Sequence, residues 1–314
     1  MQSRRHFLKS SALAGSISLI QPQLWAQNKP KVKFKISLQT GNIGVQASQT
    51  DLLTMATEFG YDAIAPYPDS IIAWSAQEKA SYLSKMADSA LSWGSAGLPL
   101  EFRKGEKRFR EDMALLPKRA RALQSVGATR MHTWVLCTHA DRTYRQNFKL
   151  HQDYLGEVAA VLEHYEIQLG LEYVGPKTTM AREKYSFIRT MTELRELIFA
   201  IDASNVGFVL DSFHWYCAGE NQADLLSLSA EEIVAVDIND ARLELGPDEQ
   251  IDNKRELPGA TGVIDIKSFL EALVILGYDG PVRAEPFNQK LNEMEDADAL
   301  TATKQAIQKC IDML

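Results

Sequence analysis

The chain has 314 residues, of which 34 are basic and 41 acidic, and its formal net charge at pH 7 is −7. This acidic balance argues against nucleic acid as a partner, because phosphates require a basic face. The length suits one large barrel or two ordinary domains. Three cysteines, Cys137, Cys217 and Cys310, are widely spaced and odd in number. They imply no disulfide framework, and we expect them to be small buried residues.

The first residues contain a paired-arginine run, Ser3-Arg4-Arg5-His6-Phe7-Leu8-Lys9, followed by a mildly apolar stretch. Such a segment is typical of a targeting signal and not of a buried helix. It resembles the bacterial twin-arginine (Tat) export signal, which implies the twin-arginine export machinery as a partner and a periplasmic location. We therefore expect a signal peptide over residues 1–26 and a single barrel domain over residues 27–314. Loss of the signal removes three basic residues and leaves a net charge of −10.

After the signal, short apolar runs alternate with longer helical patterns. The predicted strands are 34–38, 63–66, 95–98, 131–136, 168–174, 206–210, 233–238 and 282–284. The predicted helices are 52–59, 76–92, 109–125, 148–165, 192–201, 224–228, 266–276 and 297–313, with Asp265 as the N-cap of the seventh.

Eight strand–helix units with nearly continuous apolar strands favour an α/β fold, the closed parallel (β/α)8 or TIM barrel. A doubly wound open sheet is the alternative. The run Gly41-Asn42-Ile43-Gly44 after the first strand is not the glycine-rich phosphate turn that such a sheet should carry. The main polar insertions, 175–185 and 244–262, both follow strands, where a barrel carries its site loops.

Four acidic residues each end an apolar strand, and an ionised carboxylate there is costly unless it is paired, hydrogen-bonded or bound to a cation. These residues are Glu172, Asp211, Asp237 and Glu285. At the same end of a barrel they would repel one another, and a divalent metal resolves the repulsion. Oxygen ligands suit Mn²⁺ or Mg²⁺ best, with Co²⁺ or Zn²⁺ less favoured. The alternative is salt bridging to nearby cations, namely Arg242, Lys254, Arg255 or Arg283.

The strand-end motifs resemble the xylose isomerase-like sugar phosphate isomerase/epimerase family over nearly the whole chain after the signal. They are Leu171-Glu172-Tyr173, Leu210-Asp211-Ser212-Phe213-His214, Val236-Asp237-Ile238-Asn239-Asp240 and Ala284-Glu285-Pro286-Phe287. The resemblance implies that Glu172, Asp211 and Glu285 are metal ligands. Many relatives have a histidine as a further ligand at the position of Asp237, and aspartate can still ligate there. The resemblance also implies that His214 contacts substrate hydroxyls.

Other residues are candidates for binding substrate. Arg242 lies near the position of a substrate arginine in relatives, although the local spacing differs. Trp134, at the end of the fourth strand, either forms the floor of a sugar-binding pocket or packs inside the barrel. Glu101 and Arg103 follow the third strand and could reach the mouth. His214 has a structural alternative, and we expect His132 and His139 to be structural.

The favoured function is a metal-dependent isomerase or epimerase acting on a ketose or keto-sugar. The resemblance suggests that Glu172 and Glu285 stand on opposite faces of an enediolate, where one takes a proton and the other returns it. A lyase or dehydratase acting on an oxidised sugar or inositol could use the same site and begin with the same step. A non-catalytic sugar-binding barrel is the least favoured alternative, and a homo-oligomer remains open. The acidic charge disfavours an abasic-site endonuclease on this fold.

Overall fold

The computed structural model describes residues 31–314, so the proposed signal over residues 1–26 lies outside the described residues. The strands are β1 (Lys35–Leu38), β2 (Ala63–Ile64), β3 (Ser92–Trp93), β4 (Ala96–Gly97), β5 (Arg130–Val135), β6 (Thr138–His139), β7 (Gln168–Tyr173), β8 (Tyr185–Ser186), β9 (Val206–Asp211), β10 (Ile233–Ile238) and β11 (Pro281–Ala284). The helices are α1 (Gln49–Phe59), α2 (Pro68–Ala73), α3 (Ala76–Asp88), α4 (Glu106–Met113), α5 (Leu116–Gln124), α6 (Tyr144–Glu163), α7 (Lys177–Met180), α8 (Met191–Ile201), α9 (Ser212–Ala218), α10 (Gln222–Leu226), α11 (Ile266–Leu276), α12 (Gln289–Asn292) and α13 (Asp296–Ile311).

The main sheet has nine strands in the order β3-β2-β1-β11-β10-β9-β7-β5-β4. Its neighbouring strands are parallel. The two end strands, β3 and β4, are separated in the chain by only Gly94 and Ser95. They are therefore two halves of one bent strand, and the sheet curls round until its ends meet there. The predicted (β/α)8 barrel is confirmed, with its third strand divided in two. The short strands β6 and β8 form a separate antiparallel pair.

The helix limits follow from local capping chemistry. The Asp265 side chain accepts a hydrogen bond from the Ser268 backbone N–H, as expected of the N-cap of α11. Gly277 ends α11 in the left-handed conformation, with φ of 77°. The single helix predicted over residues 109–125 is wrong, because it is divided into α4 and α5. Pro117 lies in the first turn of α5, where its missing N–H costs no intrahelical hydrogen bond.

Most buried side chains are apolar and form one core cluster, and buried polar side chains such as Asp237 and Arg283 accompany them. All three cysteines lie buried as free thiols, in agreement with the sequence. Among the helices of residues 31–314, none combines the length and the hydropathy needed to cross a membrane.

The register of the strands decides which side chains meet at the barrel mouth. Asp237 of β10 lies beside Asp211 of β9 on one side and beside Arg283 of β11 on the other. In the same way, Trp134 of β5 lies beside Glu172 of β7. Since parallel strands share one direction, these strand ends lie at a single edge of the barrel.

Candidate metal and substrate site

The four predicted carboxylates meet at the C-terminal mouth of the barrel. Each of Glu172, Asp211, Asp237 and Glu285 offers one oxygen, and these oxygens lie within 4.8 Å of one another. Asp211 and Asp237 are fully buried. The structure therefore brings together the four acidic residues that the sequence singled out.

Arg255, in the loop after β10, enters this cluster. Its Nη1 donates to Asp211 Oδ2 at 2.8 Å and to Glu285 Oε2 at 3.4 Å. Its Nη2 donates to Asp252 Oδ1 at 2.8 Å. The guanidinium lies 4.7 Å from the ring centre of Phe213, and its side chain is only 1% exposed. Burial alone lowers the pKa of Arg255, but the surrounding carboxylates raise it above its ordinary value, so the group stays charged.

A second buried arginine holds Asp237. Arg283 Nε donates to Asp237 Oδ1 at 2.5 Å, and its Nη2 donates to Asp237 Oδ2 at 2.8 Å. This two-point contact occupies both carboxylate oxygens. Burial raises the pKa of Asp237, while the charge of Arg283 opposes that rise. Arg283 also donates through Nη1 to Gln39.

The two glutamates are less well compensated. Glu172 Oε1 is buried and has no hydrogen-bond partner among the described residues. Burial, followed by the charges of Glu285 and Asp211, raises the pKa of Glu172 well above its ordinary value. Burial likewise raises the pKa of Glu285 to about 8, although Asn42 Nδ2 donates to its Oε1 at 3.2 Å.

The charges of the cluster fit a divalent cation. When all four carboxylates are ionised, Arg255 and Arg283 balance two of them, which leaves an excess of two negative charges. The unpartnered buried oxygen of Glu172 is the kind of atom that a cation would satisfy. The salt-bridge alternative is therefore realised for Arg255 and Arg283, but it does not remove the excess charge.

His214 lies in the first turn of α9, close to the cluster. A ring nitrogen lies within 4.8 Å of carboxylate oxygens of Glu172 and Asp211. The Gly175 N–H donates to His214 Nδ1 at 3.3 Å. A Cβ on Gly175 would lie 2.3 Å from the His214 carbonyl oxygen, so this approach requires glycine. Burial lowers the pKa of His214, which favours the neutral ring.

Asp211 positions the start of α9 as well as belonging to the cluster. Its Oδ1 accepts from the backbone N–H groups of Phe213, at 2.6 Å, and His214, at 3.3 Å. Asn239 Nδ2 donates to Asp211 Oδ2 at 3.1 Å, and Asn239 Oδ1 accepts from the Glu285 N–H at 2.8 Å. Asn239 therefore ties two predicted ligands together. Its signal in the sequence was its place at the end of β10, two residues after Asp237.

Trp134 forms an exposed aromatic surface at the mouth, with 48% of its surface accessible. The Arg103 guanidinium lies 3.9 Å from its ring centre and donates to the Trp134 carbonyl oxygen at 2.8 Å. Glu101 holds the same guanidinium through Oε1 at 2.8 Å. Glu101 and Arg103 therefore reach the mouth, and Trp134 does not fill the barrel.

The three remaining candidates, Arg242, His132 and His139, lie in different parts of the barrel. Arg242 is ion-paired with Glu244, and among the described residues it forms no ion pair with the cluster. His132 Nδ1 lies 2.9 Å from Ser95 Oγ and 3.4 Å from Arg283 Nη1, inside the barrel. His139 contacts Arg142 beside the β6 and β8 pair.

Solved structures with the same fold include a xylose isomerase domain protein from Alicyclobacillus acidocaldarius. Its TM-score is 0.77 at 29% identity, with 89% of this chain and 99% of that chain covered. The IolI protein, solved with a zinc atom, has a TM-score of 0.74 at 21% identity, with 89% and 99% covered.

A curated relative is the inosose isomerase of Bacillus subtilis, which is 29% identical over 153 residues. The match covers 48% of this chain and 51% of the relative, so the chain spans about half the length of that protein. Residues 53–311 match the sequence profile of the xylose isomerase-like TIM barrel. Together with the closed parallel barrel and the acidic mouth, this match shows that the chain belongs to the xylose isomerase-like TIM barrel family.

Proposed function

We propose that the protein is a metal-dependent isomerase or epimerase that acts on a ketose or keto-sugar through an enediolate. The observation that carries this proposal is the convergence of Glu172 and Glu285. They enter one acidic cluster from β7 and from the end of β11, with β9 and β10 between them in the sheet. Two carboxyl groups with raised pKa can divide the work of acid and base.

A divalent cation, Mn²⁺ or Mg²⁺ by preference, held among Glu172, Asp211, Asp237 and Glu285, would polarise the substrate carbonyl and acidify the adjacent C–H. One glutamate, as a carboxylate, removes the α-proton, and the substrate becomes an enediolate. The other, as carboxylic acid, returns a proton to the opposite face, so the product is an isomer of equal mass. Arg255 adds fixed positive charge beside the developing anion. The zinc of the IolI protein supports a cation in such a barrel.

The rest of the mouth suits a polyhydroxylated substrate. The exposed ring of Trp134 offers a face for the apolar side of a sugar ring. His214 lies where it can contact a substrate hydroxyl, and the match to an inosose isomerase supports this class of reaction. We further propose that the protein is exported to the periplasm by the twin-arginine machinery, where a free or oxidised sugar is the expected substrate.

Incubation of a panel of ketoses and 3-keto-sugars in D₂O with saturating Mn²⁺ tests this function. We expect deuterium to enter at the carbon next to the carbonyl and a new isomer to appear without loss of mass, both followed by NMR and mass spectrometry. Loss of water or of an aglycone would instead assign a lyase or dehydratase, since β-elimination begins with the same proton removal. A folded, metal-bound protein that exchanges no proton in any member of the panel would favour a sugar-binding barrel.

A further inference from the structure

Among the four carboxylates, Asp237 alone is held at both oxygens by one arginine. Arg283 contacts Asp237 Oδ1 at 2.5 Å and Oδ2 at 2.8 Å. The two residues are direct neighbours across β10 and β11, and their side chains are 5% or less exposed. The pair is therefore fixed by the sheet register as well as by its charges.

No arginine holds both oxygens of any of the other three carboxylates, although Asp211 also accepts hydrogen bonds from the Phe213 N–H and from Asn239. Asp211 and Glu285 share the Nη1 atom of Arg255, at 2.8 Å and 3.4 Å. Glu172 Oε1 has no hydrogen-bond partner among the described residues. On these three residues an incoming cation meets oxygens that are free, that share one guanidinium nitrogen, or that accept from uncharged N–H donors. On Asp237 it meets oxygens that Arg283 already occupies.

We propose that Asp237 and Arg283 act as one charge-balanced unit, so that the cation is coordinated by Glu172, Asp211 and Glu285 while the pair sets how strongly it is held. This inference rests on the proposed function, because it requires a divalent cation at the mouth. Asp237, which the sequence predicted to be a metal ligand, would then lie next to the cation and keep its ion pair with Arg283.

The physical reason is the cost of separating a buried ion pair whose arginine contacts no second carboxylate among residues 31–314. Arg255 differs, because it keeps Asp252 as a partner when Asp211 binds the cation. A cation that took an oxygen from Asp237 would leave the Arg283 guanidinium buried, partly unpaired and repelled by the cation. His132, 3.4 Å from Arg283 Nη1, cannot compensate as a charge, because burial lowers its pKa far below the ordinary value and keeps it neutral. The state in which Asp237 and Arg283 remain paired therefore has a lower free energy than the state in which the cation separates them.

A double-mutant cycle separates a charge-balanced pair from a true ligand. Mn²⁺ affinity would be measured by calorimetry and by electron paramagnetic resonance for the wild type, Asp237→Asn, Arg283→Met and the double variant. Asp237→Asn should weaken binding at least about tenfold, because it leaves an unpaired arginine beside the cation. Arg283→Met should tighten binding by a similar factor, because it frees a carboxylate. The double variant should return to within about threefold of the wild type.

The matched control is the corresponding double variant at Asp211 and Arg255. If Asp211 is a ligand, Asp211→Asn combined with Arg255→Met should not recover Mn²⁺ affinity, although it also removes both members of a buried ion pair. Circular dichroism and thermal melting would establish that each variant is folded. If Asp237→Asn fails to fold, the comparison of Mn²⁺ affinity between the wild type and the double variant still shows whether Asp237 is a ligand.

The possible failures point to different conclusions. A double variant at Asp237 and Arg283 that binds Mn²⁺ as weakly as the Asp211 and Arg255 control would make Asp237 a ligand and overturn this proposal alone. A wild type that binds no Mn²⁺ would overturn the proposed metal dependence and this inference with it.

Discussion

The Arg255 guanidinium donates to the Asp211 carboxylate at 2.8 Å, with the two side chains 1% and 0% exposed. The arginine comes from the loop after β10, and the aspartate ends β9. A cation supplied by the chain thus lies within a cluster that also fits a metal ion. This arrangement suggests that the apoprotein tolerates its buried carboxylates because Arg255 and Arg283 offset part of their repulsion.

Replacement of Arg255 by Met should make stability dependent on metal. The change leaves Asp211 and Asp252 without their buried guanidinium, so we expect the free energy of unfolding in EDTA to fall by about 3–5 kcal/mol. Saturating Mn²⁺ should restore part of the loss. Urea unfolding with EDTA and with Mn²⁺ measures both effects. Arg110→Met, which breaks a surface ion pair with Glu157, is the control and should cost far less, because solvent screens that pair. Equal losses in the two variants would contradict the role of Arg255.

Replacement of Glu172 or Glu285 by Gln should preserve the fold and remove activity. Each change keeps the shape of the side chain but removes the proton acceptor and one charge from the cluster. We expect α-proton exchange to fall by about 10²–10⁴ with saturating metal, while the melting temperature stays near that of the wild type. Glu271→Gln on α11, which removes a surface partner of Lys267, is the matched control. Near-normal turnover in both site variants would exclude the two-glutamate mechanism.

Replacement of Trp134 by Ala should weaken substrate binding more than it slows the chemical step. The ring is 48% exposed, so little core packing is lost. The loss of an aromatic face should raise KM by about 5–30-fold, which corresponds to about 1–2 kcal/mol. Steady-state kinetics with the substrate identified by the exchange assay would show this. Phe199→Ala removes an aromatic side chain that is 85% exposed near the C-terminal end of α8, and it should leave KM unchanged. A rise in KM for both variants would argue against a specific contact with Trp134.

The stability of the barrel should decrease with rising pH through Glu220. Burial raises the pKa of this carboxyl to about 7, and its oxygens contact the Tyr173 hydroxyl at 2.5 Å and the Met191 N–H at 2.7 Å. Because the folded-state pKa lies above the unfolded value, stability from this group is fully present below the unfolded pKa. It is lost as pH rises through about 7. Glu220→Gln should remove this component, which urea unfolding across that pH range would measure. An unchanged pH profile in the variant would exclude Glu220 as the source.

Replacement of Arg4 and Arg5 by Lys should block export. The paired arginines are the central feature of the proposed signal over residues 1–26. We expect the variant to stay in the cytoplasm at full length, whereas the wild type is recovered from the periplasm without its signal. Cell fractionation followed by mass spectrometry of the N-terminus tests this. Export of the variant at the wild-type level would exclude the twin-arginine route.

The sequence predicted the acidic cluster because each of its members ends an apolar strand. In a parallel barrel the strand direction alone brings Asp211, Asp237 and Glu285 to one mouth. The role of Arg255 could not be read in this way. Arg255 lies in a polar loop, and tertiary contacts of that loop bring its side chain into the acidic cluster.

Asp240 supplies several of those contacts. Its carboxylate accepts from the backbone N–H groups of Thr261, Gly262 and Ile264, and its backbone pairs with Glu256 next to Arg255. The sequence places Asp240 shortly after β10, but no local pattern shows which backbone groups it will meet. The partner of Arg283 could not be predicted either, because a charged residue within a strand does not indicate that its partner lies on the neighbouring strand.

The seam at Gly94 and Ser95 affects how copies of this protein could meet. The edges of an open sheet present unpaired backbone N–H and C=O groups that can recruit a strand from another molecule. Here β3 and β4 bring the two edges of the main sheet together within one strand. Strand addition to the main sheet is thereby disfavoured. Self-association should therefore depend on parts of the molecule outside the main sheet, which evolution can change without disturbing the backbone ladder of the barrel.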